Sequence, residues 1–144
     1  MNQKKENKIL LVVSAIILKD NKVLLIKRSK KPFKDYWSFI SGQGAFKHTN
    51  NPLKAVKLET KYDLNCKFSG KFFSYSYTNS GVPTITLFFV GKIKGNIKIN
   101  KKYVKNIKWL SLKEASKIKL AFEHNKIIDK LTKNQTNNDN KQDS

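Results

Sequence analysis

Three lysines in the middle of the chain have a spacing that could bring them onto one ligand. Lys57 and Lys61 are four residues apart, and Lys54 precedes Lys57 by three. On a helix, residues at these spacings project from the same side. Their ammonium groups could hold a phosphate, and Arg28 and His48 could add hydrogen-bond donors. The alternative is that all of them are solvated side chains of a lysine-rich protein, so phosphate binding enters as a hypothesis.

Two neighbouring aromatic residues could bind a nucleobase. Tyr36 and Trp37 offer flat faces on which a base could stack. Aromatic residues in a predicted strand also pack in cores, and for Trp37 core packing is the favoured interpretation. The sequence therefore indicates base stacking only as the second part of the hypothetical site.

Carboxylates and thiols are scarce in this chain. No Asp or Glu occurs between Asp63 and Glu114, so the loops in between offer neither a metal ligand nor a general base. The adjacent Glu123 and His124 suggest an acid–base pair, but neighbouring helix residues point in different directions, and we interpret them as structural. The single Cys66 excludes an intrachain disulfide and a cysteine-based metal site.

The charge is extreme, with 30 Lys+Arg against 10 Asp+Glu and a formal net charge of +20. Such a field attracts polyanions such as RNA by releasing their counterions. Compositional bias is an alternative explanation of the charge. Every basic residue except Arg28 is a lysine, which is the pattern that an AT-biased genome would impose. Lysine is also less suited than arginine to bidentate phosphate recognition. Charge alone therefore leaves RNA binding and compositional bias as alternatives.

Apolar periodicity and turn signals predict a β-rich chain with one central and two terminal helices. Asp20-Asn21 indicates a hairpin, and Asn51-Pro52 indicates the start of the central helix, since Asn caps exposed N–H groups. We expect Ala55, Leu58 and Tyr62 to form the core face of that helix. The predicted strands span residues 8–19, 22–28, 36–40, 68–78, 84–93 and 104–110, and the predicted helices span residues 52–62, 111–118 and 122–131.

This order of elements predicts an α/β fold in which a mixed sheet is sandwiched between helices. We expect a basic N-terminal extension at residues 1–7, one domain at residues 8–131 and a disordered polar tail at residues 132–144. No apolar run reaches the ~18 residues of a membrane span, so we expect no membrane association and a cytoplasmic location.

The stretch from Val23 to Leu64 resembles the Nudix hydrolase superfamily. The strand at residues 23–28 and the segment Lys31-Pro32-Phe33-Lys34-Asp35-Tyr36-Trp37 are similar to the lead into a Nudix box in its ADP-ribose-pyrophosphatase-like branch. Segments 107–112 and 120–124 resemble the same branch's C-terminal strand and helix entry. The resemblance implies a Nudix-type α/β/α sandwich with a mixed β-sheet.

The signature G-x5-E-x7-R-E-U-x-E-E-x-G-U, with U a bulky aliphatic residue, can be placed with its first glycine at Gly42. Leu58 and Leu64 then keep the aliphatic positions. The carboxylate positions fall on His48, Lys57, Thr60 and Lys61. Family members use such carboxylates to bind Mg²⁺, which ammonium groups repel. This register predicts a degenerate box with no catalytic residues, no metal site and no cofactor.

The resemblance implies that the helix face carrying Lys57 and Lys61 looks onto a substrate diphosphate. The favoured interpretation is a protein that binds a phosphate-bearing ligand, a nucleotide or RNA, without hydrolysing it. The alternative is a divergent hydrolase of a nucleoside diphosphate derivative such as ADP-ribose, with a site built from Glu59, Asp63 and Glu123. A third possibility is a scaffold for an unknown protein partner.

Overall fold

The computed structural model describes residues 8–79 and 81–142, with side chains to residue 135. The predicted extension at residues 1–7 and the last two residues of the predicted tail lie outside the described residues. In the described part, the strands are β1 (Leu10–Lys19), β2 (Lys22–Arg28), β3 (Trp37–Ser38), β4 (Ile40–Gly42), β5 (Lys67–Asn79), β6 (Pro83–Lys94) and β7 (Val104–Ser111). The helices are α1 (Pro52–Leu64), α2 (Leu112–Ala115) and α3 (Asn125–Gln142), with short 3₁₀ helices at Gly44–Lys47 and Ala121–Glu123.

The strands form a mixed sheet around β1. Strand β1 runs parallel to β6 and antiparallel to β2 and β4. Strand β5 is the edge partner of β6, while β2 also pairs with β3 and β7. The prediction of an α/β fold with a mixed sheet is confirmed.

Helices cover both faces of the sheet, and a core lies on each side. Val13, Ala15 and Ile17 of β1 pack in the core under α1, whereas Ile16 packs in the core under α3. A strand buried on both faces is apolar throughout rather than alternating, which explains the continuous apolar run of β1.

Helix α1 begins and ends at residues that suit its termini. The Asn51 side chain accepts a hydrogen bond from the Lys54 backbone N–H (3.2 Å), and Pro52 occupies the first turn. Asn65 ends the helix in the left-handed conformation, with φ of 57°. The predicted core face is wrong in part, since Ala55 is buried but Leu58 is half-buried and Tyr62 is 41% exposed. The buried residues are Ala55, Val56, Glu59, Thr60, Asp63 and Leu64.

The predicted strand at residues 36–40 is divided in the structure. Strand β3 pairs with β2, whereas β4 pairs with β1, and Phe39 lies between them. The Phe39 N–H donates to Nδ1 of His124 (3.2 Å), a side chain 85 residues away. A single-strand prediction was wrong because the chain changes partner strand at Phe39.

The C-terminal segment also differs from the prediction. Ser111 and Glu114 form the predicted capping box, but α2 ends at Ala115. Where the sequence predicts a disordered tail, α3 continues from Thr132 to Gln142. Helix extension from an existing turn needs little driving force, and the segment has neither Gly nor Pro to end it. None of the helices in the described ranges has the length and hydropathy of a membrane span.

Candidate functional site

A basic groove lies between α1, the loop before it and the start of β5. Its cavity volume is 560 Å³, and its lining includes Cys66 and Phe68, which are both 2% exposed and form the floor. We call this cavity the lysine groove. The residues that line it are His48, Thr49, Lys54, Lys57, Leu58, Lys61, Cys66, Lys67, Phe68 and Ser69.

The structure thus brings together four of the five residues predicted to bind phosphate. Lys54, Lys57 and Lys61 share one side of α1, and the exposed His48 faces them from the preceding loop. Within residues 8–79 and 81–135, ion pairs join Lys105 to Asp35 and Lys126 to Glu123, and none involves a groove lysine. No carboxylate is among the lining residues. The groove therefore has the charge and the donors to hold an anion.

Arg28, the fifth predicted residue, does not line the lysine groove. Its Nε donates to the Pro32 carbonyl oxygen (2.9 Å), and its guanidinium lies 4.7 Å from the centre of the Phe122 ring. Burial lowers the pKa of Arg28, and the negative charge of Asp63 partly restores it. Arg28 belongs to a second cluster on the buried face of α1.

This second cluster contains two carboxylates, Glu59 and Asp63, one helical turn apart. Oε1 of Glu59 accepts a hydrogen bond from the Ala45 backbone N–H (2.8 Å). A Cβ atom at Gly42 would overlap the Glu59 carboxylate, so the loop approaches this side chain closely and a larger residue would require Glu59 to shift. Glu59, Asp63 and Arg28 form what we call the acidic cluster.

Burial controls the protonation of the acidic cluster. Loss of solvent and, to a smaller extent, the charge of Glu59 raise the pKa of Asp63 to about 7, against the opposing charge of Arg28. Burial also raises the pKa of Glu59, and the hydrogen bond from Ala45 works against this rise. Near neutral pH, Asp63 is therefore divided between its protonated and ionised forms.

The structure corrects the placement of the signature box. Starting at Gly44 instead of Gly42 moves every later position by two residues and places Glu59 and Asp63 on two of its four glutamate positions. Asn65, with its left-handed backbone, then takes the second glycine position, where glycine is favoured. Under the Gly42 register that position was Asp63, which lies within the helix.

The corrected register also changes which substitutions degrade the box. Asn50 and Tyr62 now stand at the two other glutamate positions, and Leu58 stands at the arginine position. Thr60 and Cys66, at the aliphatic positions, are 0% and 2% exposed. Lys57 and Lys61 are on the other side of α1, so the expectation that they replace metal ligands was wrong.

The acidic cluster can be tested for Mg²⁺, the metal implied by the family resemblance. Mg²⁺ binds through one or two carboxylates, with water and ligand phosphates completing an octahedron. Glu59 and Asp63 provide this donor set for one ion, and no third His, Cys, Asp or Glu lies with them among the described residues. Glu59 and Asp63 therefore fit a single Mg²⁺ ion, whose other oxygen ligands would come from water and from the phosphates of a bound nucleotide.

The aromatic residues predicted to stack on a base are apart from the lysine groove. Tyr36 is 39% exposed, and its ring packs edge-on against Phe33. Trp37 is half-buried against the core under α3, and Nζ of Lys108 lies 5.1 Å from its ring centre. Trp37 therefore packs as the core interpretation predicts.

His124 is part of the core. It is 2% exposed, stacks on Phe39 and contacts Phe88 edge-on. Burial, with a contribution from Arg28, lowers its pKa to about 3, so the imidazole stays neutral and accepts the Phe39 N–H. Glu123 points elsewhere and pairs with Lys126, so the two residues do not act as an acid–base pair.

Sequence reasoning named Glu59 and Asp63 only as part of the alternative site, and it did not place them on the buried face of α1, although the sequence contains a signal for that placement. The buried residues of α1 occur as adjacent pairs four residues apart: Ala55-Val56, Glu59-Thr60 and Asp63-Leu64. This i, i+4, i+8 repeat is the spacing of a buried helix face. The repeat was not recognised because the apolar Leu58 and Tyr62 appeared better suited to the core than two carboxylates.

Comparison with known proteins identifies the family. The NUDIX domain family matches residues 8–131, and the chain therefore belongs to it, which confirms the resemblance drawn from the sequence. The search among curated proteins found no significant match.

Solved structures confirm the Nudix α/β/α sandwich. The MutT protein from Methanosarcina mazei Go1 superposes with a TM-score of 0.77 at 15% identity, covering 92% of this chain and 99% of that one. The NUDIX domain of Shewanella oneidensis NrtR, solved with ADP ribose, gives 0.74 at 20% identity, covering 94% of each chain. The E. coli ORF135 protein gives 0.74 at 20% identity, covering 89% and 91%. At these identities the similarity concerns the fold alone.

Proposed function

We propose that this Nudix domain binds a phosphate-bearing nucleotide ligand and does not hydrolyse it. The observation that carries the proposal is the lysine groove, in which Lys54, Lys57, Lys61 and His48 surround a cavity without a carboxylate. Its volume of 560 Å³ lies within the usual range of ligand sites. The Nudix domain of Shewanella oneidensis NrtR, solved with ADP ribose, is a precedent for nucleotide binding on this fold.

The state of the acidic cluster supports binding without turnover. Metal-assisted attack on a diphosphate needs ionised carboxylates to hold the ion and prepare a water molecule. Oε1 of Glu59 already accepts the Ala45 N–H, so one of its two oxygens is engaged within the protein. Tyr62 stands at a third carboxylate position of the box. Such a cluster favours the structural role of holding the Gly42–Ala45 loop against α1.

A divergent hydrolase is the second candidate, and one observation favours it. Glu59 and Asp63 interact with each other beside Arg28, a donor set that fits one Mg²⁺ ion. Hydrolysis would then depend on the buried face of α1, not on the lysine groove. Glu123, the third carboxylate of the alternative site, pairs with Lys126 instead.

One set of variants separates the two candidates. Binding of ADP-ribose and a panel of nucleoside diphosphates would be measured by calorimetry, and turnover would be measured with and without Mg²⁺. The proposal predicts no turnover, together with binding that falls at least about tenfold in the Lys57→Ala/Lys61→Ala variant. Lys117→Ala, an exposed lysine outside the groove, is the matched control and should bind like the unaltered protein.

Turnover that requires Mg²⁺ and is lost in Glu59→Gln would overturn the proposal in favour of the hydrolase. Glutamine keeps the size of the side chain and an oxygen that can accept the Ala45 N–H, so the fold should be retained. Binding that is equal in the groove variant and in Lys117→Ala would show that phosphates do not enter the lysine groove.

A further inference from the structure

Strand β5 links the lysine groove to a row of exposed aromatic side chains. Its first residues, Lys67 to Ser69, line the groove, and Phe72, Tyr75 and Tyr77 follow farther along the strand. We propose that a single nucleic-acid strand lies along β5, with phosphates in the lysine groove and bases stacked on this row. The inference rests on the proposed function and names the polymer as its ligand class.

The aromatic row lies on the same sheet face as α1. Phe72, Tyr75 and Tyr77 are the register partners of Phe89, Leu87 and Ile85 of β6. These β6 residues alternate, so they share a face, and a register shift after Phe72 keeps the β5 side chains on that face. Phe89 and Leu87 pack in the core under α1, as does Phe68 on the groove floor. Groove and row are thus consecutive parts of one surface.

The side chains of the aromatic row are much more exposed than side chains of a core. Phe72, Tyr75 and Tyr77 are 54%, 61% and 57% exposed. Aromatic faces beside a basic groove are the usual components of sites for single-stranded nucleic acid, because every base can stack on them. At about 3.3 Å per residue, the strand from Ser69 to Tyr77 spans roughly 26 Å, which is enough for several nucleotides. Among the described strands, β5 is at the edge of the sheet, which leaves one side without a partner strand there for a polymer to pass.

The charge of the central part of the chain, residues 36–113, favours a polyanion over a second copy of the chain as the ligand of this surface. Residues 36–113 contain 14 lysines and only two carboxylates, Glu59 and Asp63, both of which are buried. Two copies facing each other through the lysine groove and the aromatic row would bring like charges together, since no carboxylate occurs among the described residues that line the groove or form β5. A nucleic-acid strand instead gains affinity by releasing its counterions.

The pairing of two lysines at the start of β5 also favours a phosphate-bearing ligand. Lys67, at the groove, is the direct register partner of Lys94 on β6, and both are exposed. Like charges directly opposite each other across a strand pair are destabilising. A phosphate bound beside this pair would relieve their repulsion, whereas a neutral ligand would not.

The test compares a polymer with its monomer on the full chain. Fluorescence anisotropy would follow a labelled oligouridylate of about 12 nucleotides, with uridine monophosphate as competitor. We expect the oligomer to bind at least about a hundredfold more tightly than the monomer. Tyr75→Ala/Tyr77→Ala should weaken oligomer binding by about tenfold or more, and Tyr75→Phe/Tyr77→Phe should restore it, because stacking needs the ring and not the hydroxyl.

The controls distinguish the inference from the proposed function. Tyr103→Ala removes an exposed aromatic residue elsewhere and should bind the oligomer normally. Lys57→Ala/Lys61→Ala should reduce the slope of log K against log salt by about 1.4, since each phosphate contact contributes about 0.7 on a single strand. Circular dichroism would verify that each variant is folded.

Equal affinity for oligomer and monomer, or unchanged oligomer binding in Tyr75→Ala/Tyr77→Ala, would overturn the inference. If the groove variant still weakened monomer binding, the proposed function would stand without it. If the protein bound neither ligand, or if the groove lysines affected the binding of neither, both the inference and the proposed function would be overturned. Sedimentation showing a dimer that the tyrosine variant abolishes would assign the row to a second copy.

Discussion

Asp63 shows how burial and neighbouring charges set the properties of a single residue. Its carboxyl is 6% exposed, next to Glu59, and only Arg28 offsets the unfavourable environment of the ionised form. The folded protein therefore binds a proton at Asp63 more tightly than the unfolded chain does. Whatever its role with a ligand, this residue couples the stability of the domain to pH.

Loss of the proton from Asp63 is expected to make the domain less stable as pH rises. Because the pKa of Asp63 rises from 3.8 to about 7 on folding, stability is expected to fall as pH increases from 4 to 7 and then to level off. The full effect is at most about 4 kcal/mol. Urea unfolding at pH 5 and pH 8 should show a smaller pH difference in Asp63→Asn than in the unaltered chain. An equal difference in both proteins would show that Asp63 is not its source.

Gly42 and Gly44 provide a matched pair of substitutions. A Cβ at Gly42 would overlap the Glu59 carboxylate, whereas at Gly44 the nearest Glu59 atom is 3.8 Å away, an ordinary contact. Gly42→Ala is expected to lower the free energy of unfolding by about 1–3 kcal/mol, and Gly44→Ala by less than about 1 kcal/mol. Thermal unfolding of the two variants would measure this, and similar losses would contradict the packing of Glu59 against Gly42.

At this scale the sequence predicted one half of the site. Helical spacing was sufficient to place Lys54, Lys57 and Lys61 together, because the spacing of a regular helix fixes which residues share a side. Glu59 and Asp63 were expected only at an alternative site outside the signature positions, because two glycines, Gly42 and Gly44, can each begin the box and the choice changes the register by two. Arg28 was considered as a further donor to the lysines but lies outside the lysine groove, because strand position does not determine where a long side chain folds.

Among the secondary-structure elements, those with strong local signals were predictable. The hairpin at Asp20-Asn21 has positive φ at both residues, and β2 has the predicted bounds. The break at Phe39 depends on His124, which is far away in sequence, and no local pattern contains it. The continuation of α3 beyond Leu131 was also not predicted. The polar composition of this segment does not indicate that a helix can extend into it from a turn that is already packed.

Helix α1 offers a test at the level of the element, at its C-terminal residue Asn65. Its left-handed backbone is tolerated by Asn and favoured by Gly, but costs other residues about 1 kcal/mol. Asn65→Ala should therefore lower the melting temperature, and Asn65→Gly should match or exceed the unaltered protein. Differential scanning calorimetry would measure both. A loss of equal size in both variants would mean that the Asn65 side chain, not its backbone conformation, stabilises the helix end.

For the whole molecule, the dominant property is unbalanced positive charge. At +20, repulsion between lysines is distributed over the surface, and only two ion pairs occur within residues 8–79 and 81–135. Net charge far from zero keeps a protein soluble but destabilises its compact state. The fold therefore depends on its two cores rather than on its surface charges.

Salt should stabilise this protein. Raising sodium chloride from about 0.01 M to 0.15 M shortens the screening length from about 30 Å to about 8 Å and so weakens the repulsion. The melting temperature is expected to rise, by several degrees, over this range. Chloride is preferred to sulfate, because sulfate also strengthens apolar burial. A constant or falling melting temperature would show that the lysine charges are already compensated within the fold.

The position of Cys66 makes it a natural reporter. It is the only thiol in the chain, is 2% exposed and lies at the floor of the lysine groove, and burial raises its pKa. Because the side chain is buried, we expect an alkylating reagent to reach it through local opening around the groove, so the labelling rate measures that opening without any engineered probe. A phosphate ligand seated above it should slow labelling, and an unchanged rate would show that the groove opens independently of its ligand.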